Sequence, residues 1–301
     1  MNPIAVIDIG SNCVRLMLAR IQDGRLKDVQ KFLKITRIAQ GAHASGRLAQ
    51  EAMERTAAVI DDYVQRAKAF SATDIWAYAT SAVRDAQNKD AFIRMVKDCT
   101  GITADVISGE EESAIAFLGA AQDVTVPTAV IDIGGSSTEI SMGRRGKRIF
   151  GMSARVGAVR VTELFAASLE AGRPDEALRW IRNVLSPIVL AMPAAPQQII
   201  GVAGTITTVA ALELDMYDYD PKRIQNRVLS YDTVCKWVNV LLESTLKERL
   251  QMPCMPPGRA EVMPAGALIL KAALELLGRR DIIISDRDGL EGYAVKMLPS
   301  K

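Results

Sequence analysis

The hexapeptide Ala-Val-Ile-Asp-Ile-Gly occurs twice in this chain, at residues 5–10 and 129–134. Each copy is followed by a small polar loop and by a segment in which apolar and polar residues alternate, a pattern typical of a β-hairpin. The interval between the copies is far longer than the repeat of a solenoid protein. The repeat therefore predicts two domains, residues 1–123 and 124–301, that open with the same strand–loop–strand unit. The C-terminal helix is a candidate to pack back on the first domain.

Apolar periodicity in the rest of the chain predicts further strands and helices in alternation, which defines an α/β protein. The predicted helices cover residues 46–70, 89–100, 109–121, 158–170, 174–192, 231–250 and 262–277, with one more from residue 205 and one at the C-terminus. The predicted strands outside the hairpins lie within 27–38 and at 74–80, 104–107, 198–202 and 281–285.

Composition and charge exclude several functional classes. The chain has 301 residues and a formal net charge of +2, which does not indicate a nucleic-acid-binding protein. Its only histidine is His43, so a Ser-His triad or a histidine-rich metal site is excluded. The N-terminus lacks the pattern of a signal peptide, no apolar run is long enough for a membrane span, and the four cysteines form no C-x-x-C pair. These features predict a cytoplasmic protein that does not bind membranes.

Both hairpin loops have the composition of a phosphate site. Glycines allow close approach of backbone N–H groups to an anion, and small hydroxyl or amide side chains add donors. The candidate phosphate-binding residues are Gly10, Ser11 and Asn12 in the first loop, and Gly134, Gly135, Ser136 and Ser137 in the second. Asp8 and Asp132, near the strand ends, are candidate Mg²⁺ ligands, directly or through water. The alternative is that each aspartate only accepts hydrogen bonds within its turn. Two such loops favour a phosphate chain held between two domains.

Three consecutive acids, residues 110–112, open the predicted helix that precedes the second hairpin. Carboxylates at a helix start are favoured by the helix dipole, and Ser108 is a candidate cap. That structural role explains one or two of the acids. A phosphoanhydride hydrolase also requires a carboxylate that orients and deprotonates water, and this run can supply one.

The two-domain arrangement resembles the actin, heat-shock chaperone and sugar-kinase superfamily. More specifically, the sequence closely resembles the Ppx/GppA family of exopolyphosphatases and guanosine pentaphosphate phosphohydrolases. The motifs that carry this resemblance are residues 5–12, 79–86, 107–109 with Glu111 and Glu112, and 131–135 with residues 137–139. Weaker matches to motifs of the family are Arg37 with Gly41, Gly157 with residues 160–163, residues 204–205 and residues 259–261.

The resemblance implies a fold of two actin-like (ribonuclease H-like) domains with an interdomain cleft. It also implies roles for individual residues. Glu112 falls on the catalytic base, Asp132 and Glu139 on acids linked to metal and water positioning, and Arg84 on an arginine that faces the cleft. Ser136 stands where the family usually has a third glycine, and Cys13 where it usually has a serine.

The predicted function is that of an exopolyphosphatase, which releases terminal orthophosphate from inorganic polyphosphate. The predicted cofactor is Mg²⁺, with a monovalent cation as a further candidate, and the predicted assembly is a homodimer. Hydrolysis of the 5′ end of guanosine pentaphosphate (pppGpp) is the second candidate, with guanosine penta- or tetraphosphate as partner. An ATP-dependent kinase and a non-catalytic sensor of polyphosphate or alarmone are further alternatives.

Overall fold

The computed structural model describes residues 2–298. The chain forms two compact units, the first of residues 2–115 and 289–298 and the second of residues 116–288. The predicted domain boundary between residues 123 and 124 was based on the repeated hexapeptide. It stays a prediction of where the first repeated domain ends and the second begins.

The described residues of the first unit form a five-stranded mixed sheet in the order β3-β2-β1-β4-β5. Its elements are β1 (Asn2–Ile9), β2 (Cys13–Gln22), β3 (Arg25–Ile35), α1 (Ala42–Ser45), α2 (Gln50–Ala69), β4 (Asp74–Ala79), α3 (Ser81–Asp85), α4 (Lys89–Thr100), β5 (Ala104–Val106) and α5 (Gly109–Ala120), which ends in the second unit. Strands β1, β2 and β3 pair antiparallel, whereas β1, β4 and β5 pair parallel.

The described residues of the second unit form a six-stranded sheet in the order β10-β11-β9-β6-β7-β8. Its elements are β6 (Thr128–Ile133), β7 (Thr138–Arg144), β8 (Lys147–Ala154), α6 (Ala158–Glu170), α7 (Asp175–Leu190), β9 (Gln198–Val202), α8 (Ala203–Glu213), α9 (Pro221–Ile224), β10 (Val228–Ser230), α10 (Tyr231–Glu243), α11 (Leu246–Arg249), α12 (Met263–Leu276) and β11 (Asp281–Ile284). The chain ends in α13 (Gly289–Met297), which belongs to the first unit.

The two sheets share one topology. In each, a three-stranded antiparallel meander is followed by parallel strands that add on the other side of its first strand. The second sheet adds only β10, which is antiparallel to β11. The predicted α/β class, with two units of the same sheet topology, is therefore confirmed. The carboxyl ends of the parallel strands share one edge in each sheet, where ligands bind in open α/β sheets.

Each unit has its own apolar core. In the second unit, α12 is the central helix, and its residues 263–270 are all buried. In the first unit, α13 packs with β1 and β2 through Leu290, Tyr293 and Ala294. The Tyr293 ring stacks on Tyr78 with 4.5 Å between centroids, and its hydroxyl donates to Asp105 at 2.5 Å.

Two sequence predictions differ from the structure for local reasons. The predicted helix over residues 231–250 is two helices, α10 and α11, because Thr245 starts a new helix with a capping box to Glu248. Strand β8 has no counterpart in the sequence predictions, because only one of its residues is buried and it therefore lacks an apolar face. Within residues 2–298, every helix is too short or too polar to cross a lipid bilayer.

Candidate active site

The two hairpin loops have the same backbone geometry. The N–H of Gly10 donates to the carbonyl of Cys13 at 3.0 Å, and the N–H of Gly134 donates to the carbonyl of Ser137 at 3.0 Å. A Cβ atom on either glycine would lie 3.1 or 3.2 Å from that same carbonyl oxygen. Each turn therefore favours glycine at its first position, and the repeated hexapeptide marks a repeated structure.

Hydrogen bonds to neighbouring segments hold the first loop in shape. The carbonyl of Asn12 accepts from the N–H groups of Thr36 and Arg37 at 3.0 and 2.9 Å. The buried hydroxyls of Ser11 and Ser81 lie 3.3 Å apart, which ties the loop to the start of α3. These contacts fix the backbone of the loop, and a preorganised backbone is what an anion site requires.

The start of α6 holds the second loop. The carbonyl of Gly135 accepts from the N–H groups of Val159 and Arg160 at 2.8 and 3.1 Å. The Arg160 side chain donates from Nε to the carbonyl of Ser136 at 3.1 Å. The side chains of Ser136 and Ser137 are buried. Arg160 is visible in the sequence only as part of a weak motif, and its contact with the loop depends on the tertiary structure.

Glu112 and Arg84 form an ion pair at the carboxyl edge of the first sheet. Nη1 of Arg84 donates to Oε2 of Glu112 at 2.7 Å and to the carbonyl of Ile107 at 3.1 Å. The Glu112 side chain is only 13% exposed. Arg84, predicted as a phosphate ligand, therefore orients the predicted base in this structure. Its contact with phosphate stays a prediction.

The environment of Glu112 raises its pKa from 4.5 to about 7. Burial is the largest cause, and the nearby carboxylates of Asp8 and Asp85 raise the pKa further. The Arg84 guanidinium acts in the opposite direction. A carboxyl group that titrates near neutral pH is suited to general-base catalysis.

Two of the three acids at the start of α5, Glu111 and Glu112, have different roles. Glu111 accepts from the backbone N–H of Ser108 at 2.9 Å, while the Ser108 hydroxyl accepts from the N–H of Glu111 at 3.1 Å. This capping box lowers the pKa of Glu111, chiefly through the backbone hydrogen bond. Glu111 is therefore the structural acid of the run, and Glu112 is the one held at the sheet edge.

The predicted metal ligands Asp132 and Glu139 lie directly opposite each other on β6 and β7. The hydroxyl of Ser153 donates to Oε1 of the buried Glu139 at 2.6 Å. Two facing carboxylates supply oxygen ligands of the kind that Mg²⁺ takes together with phosphate oxygens, so these residues fit the ion. Within residues 2–298, no group of three or more His, Cys, Asp or Glu side chains is placed to hold a metal.

Asp8 has a different partner. It lies opposite Arg15, which donates from Nε and Nη2 to Oδ2 of Asp8 at 2.9 and 2.5 Å. The ion pair gives Asp8 a partner on the neighbouring strand, and its role as a Mg²⁺ ligand stays a prediction.

Two units of the same sheet topology, each with a glycine-hydroxyl loop beside an acidic strand end, define a phosphate-handling α/β protein. The family model of the Ppx/GppA phosphatase family matches residues 17–301, and the chain belongs to that family. The match begins after the first loop, so the assignments of Asp8, Gly10, Ser11 and Asn12 depend on the repeat and the loop geometry.

Relatives with assigned names cover nearly the whole chain. Exopolyphosphatase 2 of Mycobacterium tuberculosis is 34% identical over 98% of both chains. The guanosine-5′-triphosphate,3′-diphosphate pyrophosphatase of Photobacterium profundum is 28% identical over 99% of this chain and 60% of its own length. Among solved structures, an Aquifex aeolicus member of the Ppx/GppA family superposes with a TM-score of 0.80 at 32% identity, over 98% of this chain and 97% of its own.

Proposed function

We propose that this protein is an exopolyphosphatase that removes terminal orthophosphate from inorganic polyphosphate, with Glu112 as the general base. The observation that carries the proposal is the Glu112 carboxylate, whose side chain is only 13% exposed, which is oriented by Arg84 and which has a pKa of about 7. The relative named exopolyphosphatase 2, at 34% identity over the full chain, supports polyphosphate as the substrate. We also propose that the protein forms a homodimer and that it acts in the cytoplasm.

Asp132 and Glu139 would hold Mg²⁺, which supplies positive charge beside the phosphate oxygens. Because Oε2 of Glu112 accepts from Arg84, we assign proton acceptance from the attacking water to Oε1. The water oxygen forms a new P–O bond to the terminal phosphorus as its proton passes to Oε1. The bridging P–O bond breaks, its electron pair stays on the bridging oxygen, and the products are orthophosphate and a chain shortened by one phosphate. Loop N–H groups and hydroxyls stabilise the charge that develops, since a loose phosphoryl-transfer transition state needs mainly positioning and neutralisation.

Hydrolysis of pppGpp is the second candidate, because the Photobacterium profundum relative is named for that type of nucleotide. The deciding experiment measures orthophosphate release from polyphosphate, pppGpp and ATP with Mg²⁺ present. Release that is fastest from polyphosphate supports the proposal, and release mainly from pppGpp selects the alternative. Binding of either compound without release would identify a sensor, and ATP consumption only with an acceptor would identify a kinase.

Replacing Arg84 with glutamine is expected to shift the pH dependence of phosphate release to higher pH. The Arg84 guanidinium lowers the pKa of Glu112, so its loss moves that pKa above about 7 and leaves less ionised base at neutral pH. The check is the acid limb of kcat/KM against pH, with Arg84→Lys as a charge-retaining control. An acid limb at the wild-type pH in Arg84→Gln would show that Glu112 is not the titrating group.

A further inference from the structure

The edge of the second sheet carries basic residues with no acid among them. Residues 140–162 include six lysine and arginine residues and no aspartate or glutamate. This segment forms most of β7, all of the edge strand β8 and the start of α6. It includes Arg160, whose side chain contacts the second loop at the carbonyl of Ser136. The basic charge therefore follows the edge of the sheet from the second loop to the turn between β7 and β8.

The basic residues are most closely spaced at that turn. Arg145 and Gly146 have φ angles of 52° and 70°, and the N–H of Arg145 donates to the carbonyl of Val124 at 2.8 Å, which fixes the turn. Arg144 lies directly opposite Lys147, and like charges in this position are destabilising. Arg144, Arg145 and Lys147 are exposed, and none of the three forms an ion pair with an acid of residues 2–298.

The equivalent edge of the first sheet is neutralised by the chain itself. On β3, Nζ of Lys31 lies 2.8 Å from Oε1 of Glu291, and Nζ of Lys34 lies 2.9 Å from Oδ2 of Asp62. Charged side chains protect an edge strand from unwanted pairing, and the first unit has this protection with paired cations. Edge protection therefore does not explain the unpaired cations of the β7–β8 turn. An anion from outside the protein would supply their counter-charge.

A bulge in β8 disfavours a protein strand as the partner of this edge. The ladder shifts by one residue between Met142 and Gly143, which leaves Ile149 of β8 without a partner on β7. Bulges and cationic side chains on an edge strand oppose the addition of another strand. A flexible polyanion meets no such obstacle, because it binds through its charge and does not need a regular ladder of hydrogen bonds. Inorganic polyphosphate is a polyanion of this kind.

We propose that Arg144, Arg145 and Lys147 bind the distal phosphates of a long polyphosphate chain whose terminal phosphate lies at the second loop. The inference rests on the proposed function and adds a preference for long chains to it. The second loop and the turn lie at opposite ends of β7, whose seven residues span roughly 20 Å. Only a chain that extends over this distance contacts both, so the turn lowers KM for long chains and leaves KM for short chains unchanged.

The test compares long-chain polyphosphate with tripolyphosphate as substrates of a variant with Arg144→Gln, Arg145→Gln and Lys147→Gln. Loss of three exposed charge contacts is expected to raise KM for the long chain on the order of 10-fold. The value of kcat should stay at that of the wild type, because distal contacts are the same in the ground state and the transition state. KM for tripolyphosphate should not change, since this substrate is too short to reach the turn.

The matched control combines Arg25→Gln, Lys27→Gln and Lys68→Gln, which removes three exposed charges from the first unit. It changes the net charge by the same amount and should leave both KM values at those of the wild type. An unchanged KM for the long chain in the turn variant would overturn the inference. An equal rise for tripolyphosphate, or the same rise in the control, would also overturn it.

Direct binding separates this inference from the proposed function. Binding of long-chain polyphosphate is measured in Glu112→Gln, with and without the three turn substitutions, and these should weaken it on the order of 10-fold. Single-stranded RNA that binds through the turn as tightly as polyphosphate would contradict the inference and identify nucleic acid as the partner. A wild type that binds polyphosphate through the turn but releases no orthophosphate would refute the proposed function and leave the binding surface intact.

Discussion

Replacing Glu112 with glutamine is expected to lower kcat for phosphate release by on the order of 10²–10⁴-fold, the usual contribution of a positioned general base. Glutamine has nearly the same shape and can still accept a hydrogen bond from Arg84, but it cannot take a proton from water. Substrate affinity should change little, because the base acts mainly in the transition state. The measurement is steady-state kinetics on polyphosphate, with direct binding measured in parallel.

Glu111→Gln is the matched control, since it alters the neighbouring acid of the same helix turn. Glu111 belongs to the capping box with Ser108, so this variant should lose some thermal stability and keep its activity. Equal loss of kcat in both variants would contradict the assignment of Glu112 as the base.

The pH profile provides a second check on Glu112. A base with a pKa of about 7 is mostly protonated below that pH, so wild-type kcat/KM should fall on the acid side of neutrality. The residual activity of Glu112→Gln should lack this limb.

Because the folded chain binds the Glu112 proton more tightly than the unfolded chain, the contribution of Glu112 to stability decreases as pH rises from 4.5 to about 7. Glu112→Gln should therefore be at least as stable as the wild type at pH 8.

Replacing Gly157 with alanine is expected to reduce kcat/KM by on the order of 10²-fold, the cost of misplacing reacting groups by about 1 Å. The added Cβ would lie 2.5 Å from the backbone of Gly135 and Ser136, which cannot move without displacing the second loop. Backbone strain is not the cause, because the φ of −149° at Gly157 is open to any residue. The measurement is kcat/KM together with the melting temperature.

Gly172→Ala is the control for general destabilisation. Gly172 has a φ of +65° and open space around its Cα, so alanine there strains a turn but touches no loop. It should lower the melting temperature and leave kcat/KM unchanged. Wild-type kcat/KM in Gly157→Ala would show that the second loop is not part of the catalytic site.

Sequence patterns over a few neighbouring residues predicted most of the strands and helices that surround the site. The repeated hexapeptide predicted both hairpins, which the structure confirms as β1 with β2 and β6 with β7. The helix over residues 89–100 ends at Gly101, which adopts the left-handed conformation expected of a C-terminal glycine. These predictions are correct because side-chain alternation and the conformation of glycine depend only on a few neighbouring residues.

The sequence by itself determined that the chain has two units built on one hairpin and a run of acids before the second. Only the tertiary structure decided which acid of the run is a cap and which is held by Arg84, a residue 28 positions away. It also decided that Asp8 meets a base and Asp132 an acid, through strand register. The physical reason is that burial and neighbouring charge set the protonation and partners of a carboxylate, and both arise from contacts between residues distant in the chain.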